Sequence, residues 1–165
     1  MSDLFQRAGE WLAHDPDPET RAELSALVER ARDDASALAE LRERFAGPLE
    51  FGTAGLRAVV GAGETRMNRA VVRRTSAGLA RYLLAQHPDA PASQGGSGPA
   101  GAPGPDSVRT RGVVIGYDGR RMSREFAEDT AAVLAAVGIP SHLSPGPCPT
   151  PLCAYAIERR RAGPR

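Results

Sequence analysis

The amino-acid sequence predicts an α/β fold preceded by a short helical segment. Three observations carry this. The first third repeats apolar residues at helical spacing and contains no strand-like run. Gly112-Val113-Val114-Ile115-Gly116-Tyr117 is a short continuous apolar run of the kind a strand buried on both faces requires. A helical pattern, a second short strand and a further helix follow it, and the order strand, helix, strand, helix implies an α/β unit with right-handed crossovers.

Taken in order, Leu4, Ala8, Trp11 and Leu12 fall on one face of a first helix that should stop at the Asp15-Pro16 step. A second begins near Asp17, with Pro18 suited to the first helical position and Leu24, Leu27, Val28 and Ala31 as its apolar stripe. A third covers roughly 35–45. Gly47 and Pro48 then punctuate the chain, and the composition changes to Phe51-Gly52-Thr53-Ala54-Gly55-Leu56-Arg57-Ala58-Val59-Val60, a glycine-rich turn leading into a strand. Asn68 is a good N-cap for a helix reaching about Gln86, in which Val71, Val72, Thr75, Leu79, Tyr82 and Leu83 recur on one side. Residues 88–107 are nearly all Pro, Ala, Gly, Ser and Asp, and such a stretch cannot bury enough apolar surface to offset its ordering entropy; it reads as a disordered loop insertion. After the apolar strand, a helix from about Ser123 turns Phe126, Thr130, Val133, Leu134 and Val137 inward and ends at Gly138. A short strand at Ser141–Leu143 and a proline-rich turn lead to a last helix carrying Leu152, Tyr155 and Ala156.

Bulk properties narrow the function classes. The 165 residues have the length of one domain, with 41% hydrophobic and 25% charged residues and a formal net charge of +1, which argues against a dedicated nucleic-acid binder. The first ten residues are polar where a secretory signal would be apolar, and no run approaches membrane-spanning length, so the expectation is a cytoplasmic protein with no membrane partner. Cys148 and Cys153 match no common zinc spacing and read as reduced structural thiols. His14, His87 and His142 are scattered, and no metal-ligand set is expected.

Three segments could carry chemistry. In Gly52-Thr53-Ala54-Gly55-Leu56-Arg57 the glycines free the backbone to approach a ligand, Thr53 offers a hydroxyl and an amide, and Arg57 a planar fork for phosphate oxygens. The same residues could simply make a tight turn with a surface arginine. Asp118-Gly119-Arg120 lies at the carboxyl end of the apolar strand, the edge where open α/β sheets place ligands, although Asp-Gly is also an ordinary turn and the pair could be a local brace. Pro149-Thr150-Pro151 precedes a helix whose amides could face an anion, with Thr150 as the natural cap, and capping alone would explain it.

In order and spacing these runs resemble the first domain of the α-D-phosphohexomutases, the phosphoglucomutase and phosphomannomutase superfamily. Phe51 to Arg57, continuing to Arg66-Met67-Asn68, is similar to the branch containing phosphoglucomutase-2 and phosphopentomutase, helical preamble included. Tyr117-Asp118-Gly119-Arg120 with Ser123, and then Pro149-Thr150-Pro151, resemble the next two landmarks. The resemblance implies a three-layer α/β/α domain with a mixed β-sheet over 47–165, after a helical segment at 1–46 and interrupted by the insertion at 88–107. It also implies phosphoryl exchange between the 1-hydroxyl and the distal hydroxyl of a phosphosugar through a phosphoserine, with Mg2+ and a sugar bisphosphate activator in the intact family. Such chemistry depends on in-line geometry and charge neutralisation, which suits arginines, glycine loops and a metal. On that resemblance Thr53, Gly55 and Arg57 would bind phosphate, and Asp118, Arg120, Ser123 and Thr150 would support the active site.

The departures matter equally. The family's serine loop, Thr-Ala-Ser-His-Asn-Pro, has no counterpart here; the last helix is followed by Arg-rich sequence ending at Arg165. The expectation is therefore a domain truncated before the phosphoserine loop, with no catalytic or metal-binding residue of its own and no turnover alone. The alternative is a non-catalytic module that binds a sugar phosphate or a partner. Which sugar is used, and the oligomeric state, are left open.

Overall fold

The computed structural model describes residues 2–53, 55–87 and 107–161, apart from the side chains of Ser2 and Arg161. The expected insertion at 88–107 lies outside them except for Ser107. The chain separates into two compact units, Met1–Val72 and Arg73–Arg165; residues 46 and 47, where the composition changes, lie inside the first.

In the first unit, α1 (Ser2–His14), α2 (Pro18–Arg30) and α3 (Ala35–Arg44) form the helical preamble. Local chemistry sets their ends. The Asp17 carboxylate accepts from Glu19 N–H at 2.9 Å with Pro18 at the first helical position, and Asp34 accepts from Ser36 N–H at 2.8 Å. Asp15, between α1 and α2, is buried but satisfied: it accepts from the Trp11 indole at 3.2 Å, the Thr20 hydroxyl at 2.7 Å and Asp17 N–H at 3.0 Å. Leu24, Leu27, Ala31, Ala37, Leu41 and Phe45 make the core, with the Trp11 ring edge-on to Phe45 at 6.0 Å.

The segment after the preamble is held to it by charge-assisted hydrogen bonds. The Arg44 guanidinium reaches Glu23 at 2.5 Å, Glu40 at 2.7 Å and the Ala62 carbonyl at 3.2 Å, while Ala62 N–H donates back to Glu23 at 3.1 Å. Arg7 bridges Glu64 at 2.7 Å and the Phe45 carbonyl at 2.9 Å. The expected strand at 56–60 is not a ladder. It makes one parallel bridge, Val60 to Met67, and otherwise runs irregularly, because among the described residues no neighbouring strand takes its remaining backbone groups.

Asn68 then starts α4 (Arg69–Gln86) as its N-cap: its side-chain oxygen accepts from Val71 N–H at 2.9 Å. The same amide donates to the carbonyls of Gly61 and Gly63, each at 2.9 Å, and Asn68 is only 1% exposed. Gly63 is required beneath it, since its φ is +112° and a Cβ there would lie 2.8 Å from the Arg44 carbonyl oxygen.

The second unit is built on a strand-helix-strand-helix run, in the α/β order the sequence implies. A short helix that the sequence does not reveal, α5 (Val108–Arg111), is capped by Ser107 and leads into β1 (Val113–Ile115); α6 (Ser123–Ala136) follows, then β2 (Ser141–Leu143) and α7 (Thr150–Arg161). Among the described residues the sheet comprises β1 and β2, parallel, with Val113 opposite Ser141 and Ile115 opposite Leu143. Ala80, Val108, Ile115, Ala127, Leu134 and Ile139 form its core. Gly138, at φ +76°, ends α6 with Ile139 N–H bonded to the Leu134 carbonyl at 3.0 Å.

Two helix faces differ from the sequence reading. On α4, Ser76 and Ala80 are buried while Leu79 and Tyr82 are exposed. On α6, Asp129 is buried and Val137 exposed. Arg73 of α4 holds Asp129 at 2.5 Å, and the Ser76 hydroxyl donates to Thr130 Oγ1 at 3.0 Å beside it, so a polar seam joins α4 and α6 next to the apolar core that Ala80, Ala127 and Leu134 share. Among the described residues no helix is long and apolar enough to cross a membrane.

The double use of Asn68 yields a discriminating prediction. Asn68→Ala should destabilise by about 2–4 kcal/mol, the cost of a lost cap plus the lost amide bonds to the Gly61 and Gly63 carbonyls. Asn68→Asp keeps the cap acceptor yet should be at least as damaging, because a carboxylate would face the same two carbonyl oxygens. Urea melts of both variants check this; an N68D chain close to wild type would assign the stability to capping alone.

Candidate functional site

The predicted residues fall into two local constellations, one in each unit. In the first, Gly52 and Gly55 exchange reciprocal backbone hydrogen bonds, both 3.2 Å, closing a tight turn with Thr53 at its tip. Gly55 has φ +87°, a conformation only glycine adopts without strain, so the turn needs the second glycine for its backbone. Thr53, Gly55 and Arg57 are all exposed. Neither the Thr53 hydroxyl nor the Arg57 guanidinium makes a hydrogen bond or ion pair with any described residue, whereas Arg7, Arg44, Arg66 and Arg73 are all engaged by carboxylates. The arrangement leaves one fork of five donors free beside a turn that presents backbone to solvent, which suits binding of an anionic oxygen group.

The second constellation gathers Asp118, Arg120 and Ser123 at the carboxyl end of β1. The Asp118 carboxylate accepts from Arg120 N–H at 3.1 Å and from the Arg120 guanidinium at 2.7 Å, while Asp118 N–H donates to Ser123 Oγ at 3.2 Å. The Arg120 backbone N–H and then the Ser123 hydroxyl hold the Asp118 carboxyl below its ordinary value, with the Arg120 side chain adding to them. Arg120 is otherwise free, its side chain 84% exposed, so its guanidinium can pair with Asp118 and still offer donors outward.

One feature of this loop has no cue in the sequence. Met122, immediately before α6, has φ +65° and ψ 0°, the left-handed conformation, and is the one non-glycine residue with positive φ among those described. A methionine there costs on the order of 1 kcal/mol. The conformation folds the chain back so that Ser123 N–H bonds the Arg120 carbonyl at 3.1 Å and Ser123 Oγ faces Asp118.

Thr150 does not cap α7. It is the first residue of the helix, exposed, and its hydroxyl engages no described residue. The first turn is closed instead by the Leu152 amide, which bonds the Pro149 carbonyl at 2.9 Å. The loop before α7 is instead tied to the Asp118 loop by Cys148 N–H, which donates to the Tyr117 carbonyl at 2.8 Å. A cavity of about 580 Å3 in the same unit is lined by Leu79, Leu83, Val113, Ile157, Arg111 and Arg160 among others and by none of the predicted site residues. Among the described residues no three carboxylate, imidazole or thiol groups converge as a metal site would require.

The chain is similar to known proteins of one family. The family described as phosphoglucomutase/phosphomannomutase, alpha/beta/alpha domain I, matches residues 104–164. The chain is 33% identical over 161 residues to a phosphopentomutase of Mus musculus, covering 94% of this chain. It is 35% identical over 164 residues to a phosphoribomutase of Saccharomyces cerevisiae, covering 98% of this chain, and 31% identical over 160 residues to a glucose 1,6-bisphosphate synthase of Homo sapiens, covering 93% of it. It spans about 22% of the length of each of these relatives. No solved structure gives a significant match.

The hydrogen-bond geometry at Asp118 fixes its pH behaviour. Its pKa is depressed in the folded chain, so the small stability it contributes is complete above the unfolded value of about 4 and is lost as pH falls through the folded one. Ser123→Ala should move the Asp118 carboxyl upward toward the ordinary range, read from its side-chain 13C shift during an NMR titration. An unchanged midpoint in the variant would mean that the Ser123 hydroxyl plays no part.

Proposed function

The chain belongs to the phosphoglucomutase and phosphomannomutase superfamily, on the branch of its phosphopentomutase and phosphoribomutase relatives, and we propose that it forms the N-terminal part of a phosphosugar mutase. Such an enzyme is an isomerase of carbohydrate metabolism that interconverts a sugar 1-phosphate and a 5- or 6-phosphate through a phosphoserine. The observation that carries the reading is similarity running through 93–98% of this chain, helical preamble and α/β unit together. The unengaged Arg57 beside the Gly52–Gly55 turn supports it.

In this reading Thr53, Gly55 and Arg57 bind a phosphate group of the phosphosugar. The exposed backbone at Gly55 admits close approach, the Thr53 hydroxyl donates to one oxygen, and the Arg57 fork takes two more. Asp118, Arg120 and Ser123 form a rigid brace at the end of β1 that orients the Arg120 guanidinium, and Thr150 lines the start of α7. Magnesium supplies charge neutralisation in this family, but the described residues do not fit a magnesium site, and no step here is assigned to it. A cytoplasmic location is part of the same proposal.

The 165 residues contain no Thr-Ala-Ser-His-Asn-Pro run, and by themselves they are proposed to be inactive. Purified chain supplied with magnesium, a hexose 1-phosphate and glucose 1,6-bisphosphate should give no product above a protein-free blank; measurable conversion would overturn that part of the proposal. Binding is the positive test. Titration with ribose 5-phosphate or glucose 1,6-bisphosphate, followed by amide shifts at 52–57, should show saturable binding that Arg57→Ala weakens about tenfold, the low end for a charge-assisted contact because the site is exposed. Equal affinity in the variant would remove Arg57 from the phosphate site.

A further inference from the structure

The two cysteines are the strongest feature of the second unit that the proposed function leaves unused. Cys148 precedes α7 and Cys153 lies in its first turn; both are free, and their sulfurs are 3.5 Å apart. The position is built. Gly116, just past β1, lies under both sulfurs: a Cβ on it would overlap the Cys153 sulfur and come within 2.9 Å of the Cys148 sulfur, so the absence of a side chain at 116 is what lets the pair sit there. The backbone at Cys148 is pinned by its bond to the Tyr117 carbonyl, and the pair opens onto a cavity of about 400 Å3 that Leu143, Ser144 and Leu152 help to line, so a small reagent has access.

We propose that Cys148 and Cys153 form a redox-active dithiol, a modification site that a low-molecular-weight disulfide converts into an intramolecular disulfide. The Cys148 thiolate attacks one sulfur of the reagent, forming a mixed disulfide and releasing one thiolate. Cys153 loses its proton and attacks the Cys148 sulfur, which releases the second half of the reagent. Two protein thiols become one disulfide, two electrons pass to the reagent, and it leaves as two thiols. The division of roles follows the surroundings. Hydrogen bonds from Ser144 and Cys153 push the Cys148 thiol down, toward the reactive thiolate, while the contact with Cys148 and burial push Cys153 up. Reading the pair as inert structural thiols, as spacing alone suggests, leaves the sulfur contact and the glycine beneath it unexplained. A reversible bond of this kind is also the form in which disulfides occur in reducing compartments.

Oxidised glutathione is the test reagent, with intact-mass and peptide mapping as readout. The folded wild-type chain should lose both thiols together, retain no glutathione and yield a peptide pair joined through residues 148 and 153. Its equilibrium constant for closure should exceed that of the urea-unfolded chain roughly tenfold or more, because folding holds the sulfurs in contact. Cys153→Ser should stop at one glutathione on Cys148, and Cys148→Ser should react more slowly. Persistent glutathione on the wild type, surviving thiols, or equal constants for folded and unfolded chains would each overturn the proposal. Should a serine variant fail to fold by circular dichroism, iodoacetamide alkylation of the wild type decides: Cys148 must be modified before Cys153, and the reverse order sinks the assignment.

Discussion

A buried side-chain amide has four hydrogen-bonding positions to satisfy, and at Asn68 the fold depends on how they are used. The donors hold two carbonyls of the 61–63 turn and the acceptor takes the first free amide of α4. A carboxylate could perform only the second task and a hydroxyl only part of each. Through that turn the requirement reaches back to Arg44, whose guanidinium joins α2, α3 and the Ala62 carbonyl in one network. The helical preamble is therefore part of the same packed unit as the segment that follows it.

In the second unit the loop after β1 is organised around an exposed arginine. Arg120 is exposed and would be unrestrained by packing. Its direction comes from Asp118, which is itself fixed by a backbone amide and by a serine at the start of α6. The left-handed turn at Met122 brings that serine back over the aspartate, and its modest conformational cost is set against the two hydrogen bonds Ser123 then makes, to the Arg120 carbonyl and with Asp118 N–H. Order is built from the backbone outward. A brace of this type holds its geometry in the absence of a ligand, as an electrostatic site must if it is to act without reorganisation.

What was legible in the sequence is what short-range chemistry decides. Asp17 with Pro18, Asn68, and Gly138 mark helix ends because caps and C-terminal turns are made by residues within a few positions of one another. The Asp118-Arg120-Ser123 brace was readable for the same reason. The faces of α4 and α6 were not, because Asp129 is buried beneath a partly exposed Arg73, and nothing local distinguishes that aspartate from a solvated one. The strand expected after Leu56 required a partner that no local pattern supplies. Thr150 reads as a cap, but the helix starts at Thr150 itself and its hydroxyl engages no described residue; the left-handed Met122 has no compositional signature at all.

The space above Gly116 can hold two sulfurs or one side chain, and not both. That exclusion ties three positions from two separate segments of the chain into one unit. With both sulfurs where they stand residue 116 must lack a side chain, and removing Cys153 alone would leave a Cβ there still 2.9 Å from the Cys148 sulfur. Position 116 is therefore coupled to both sulfurs at once, and a side chain placed there would have to turn the two thiols away from each other.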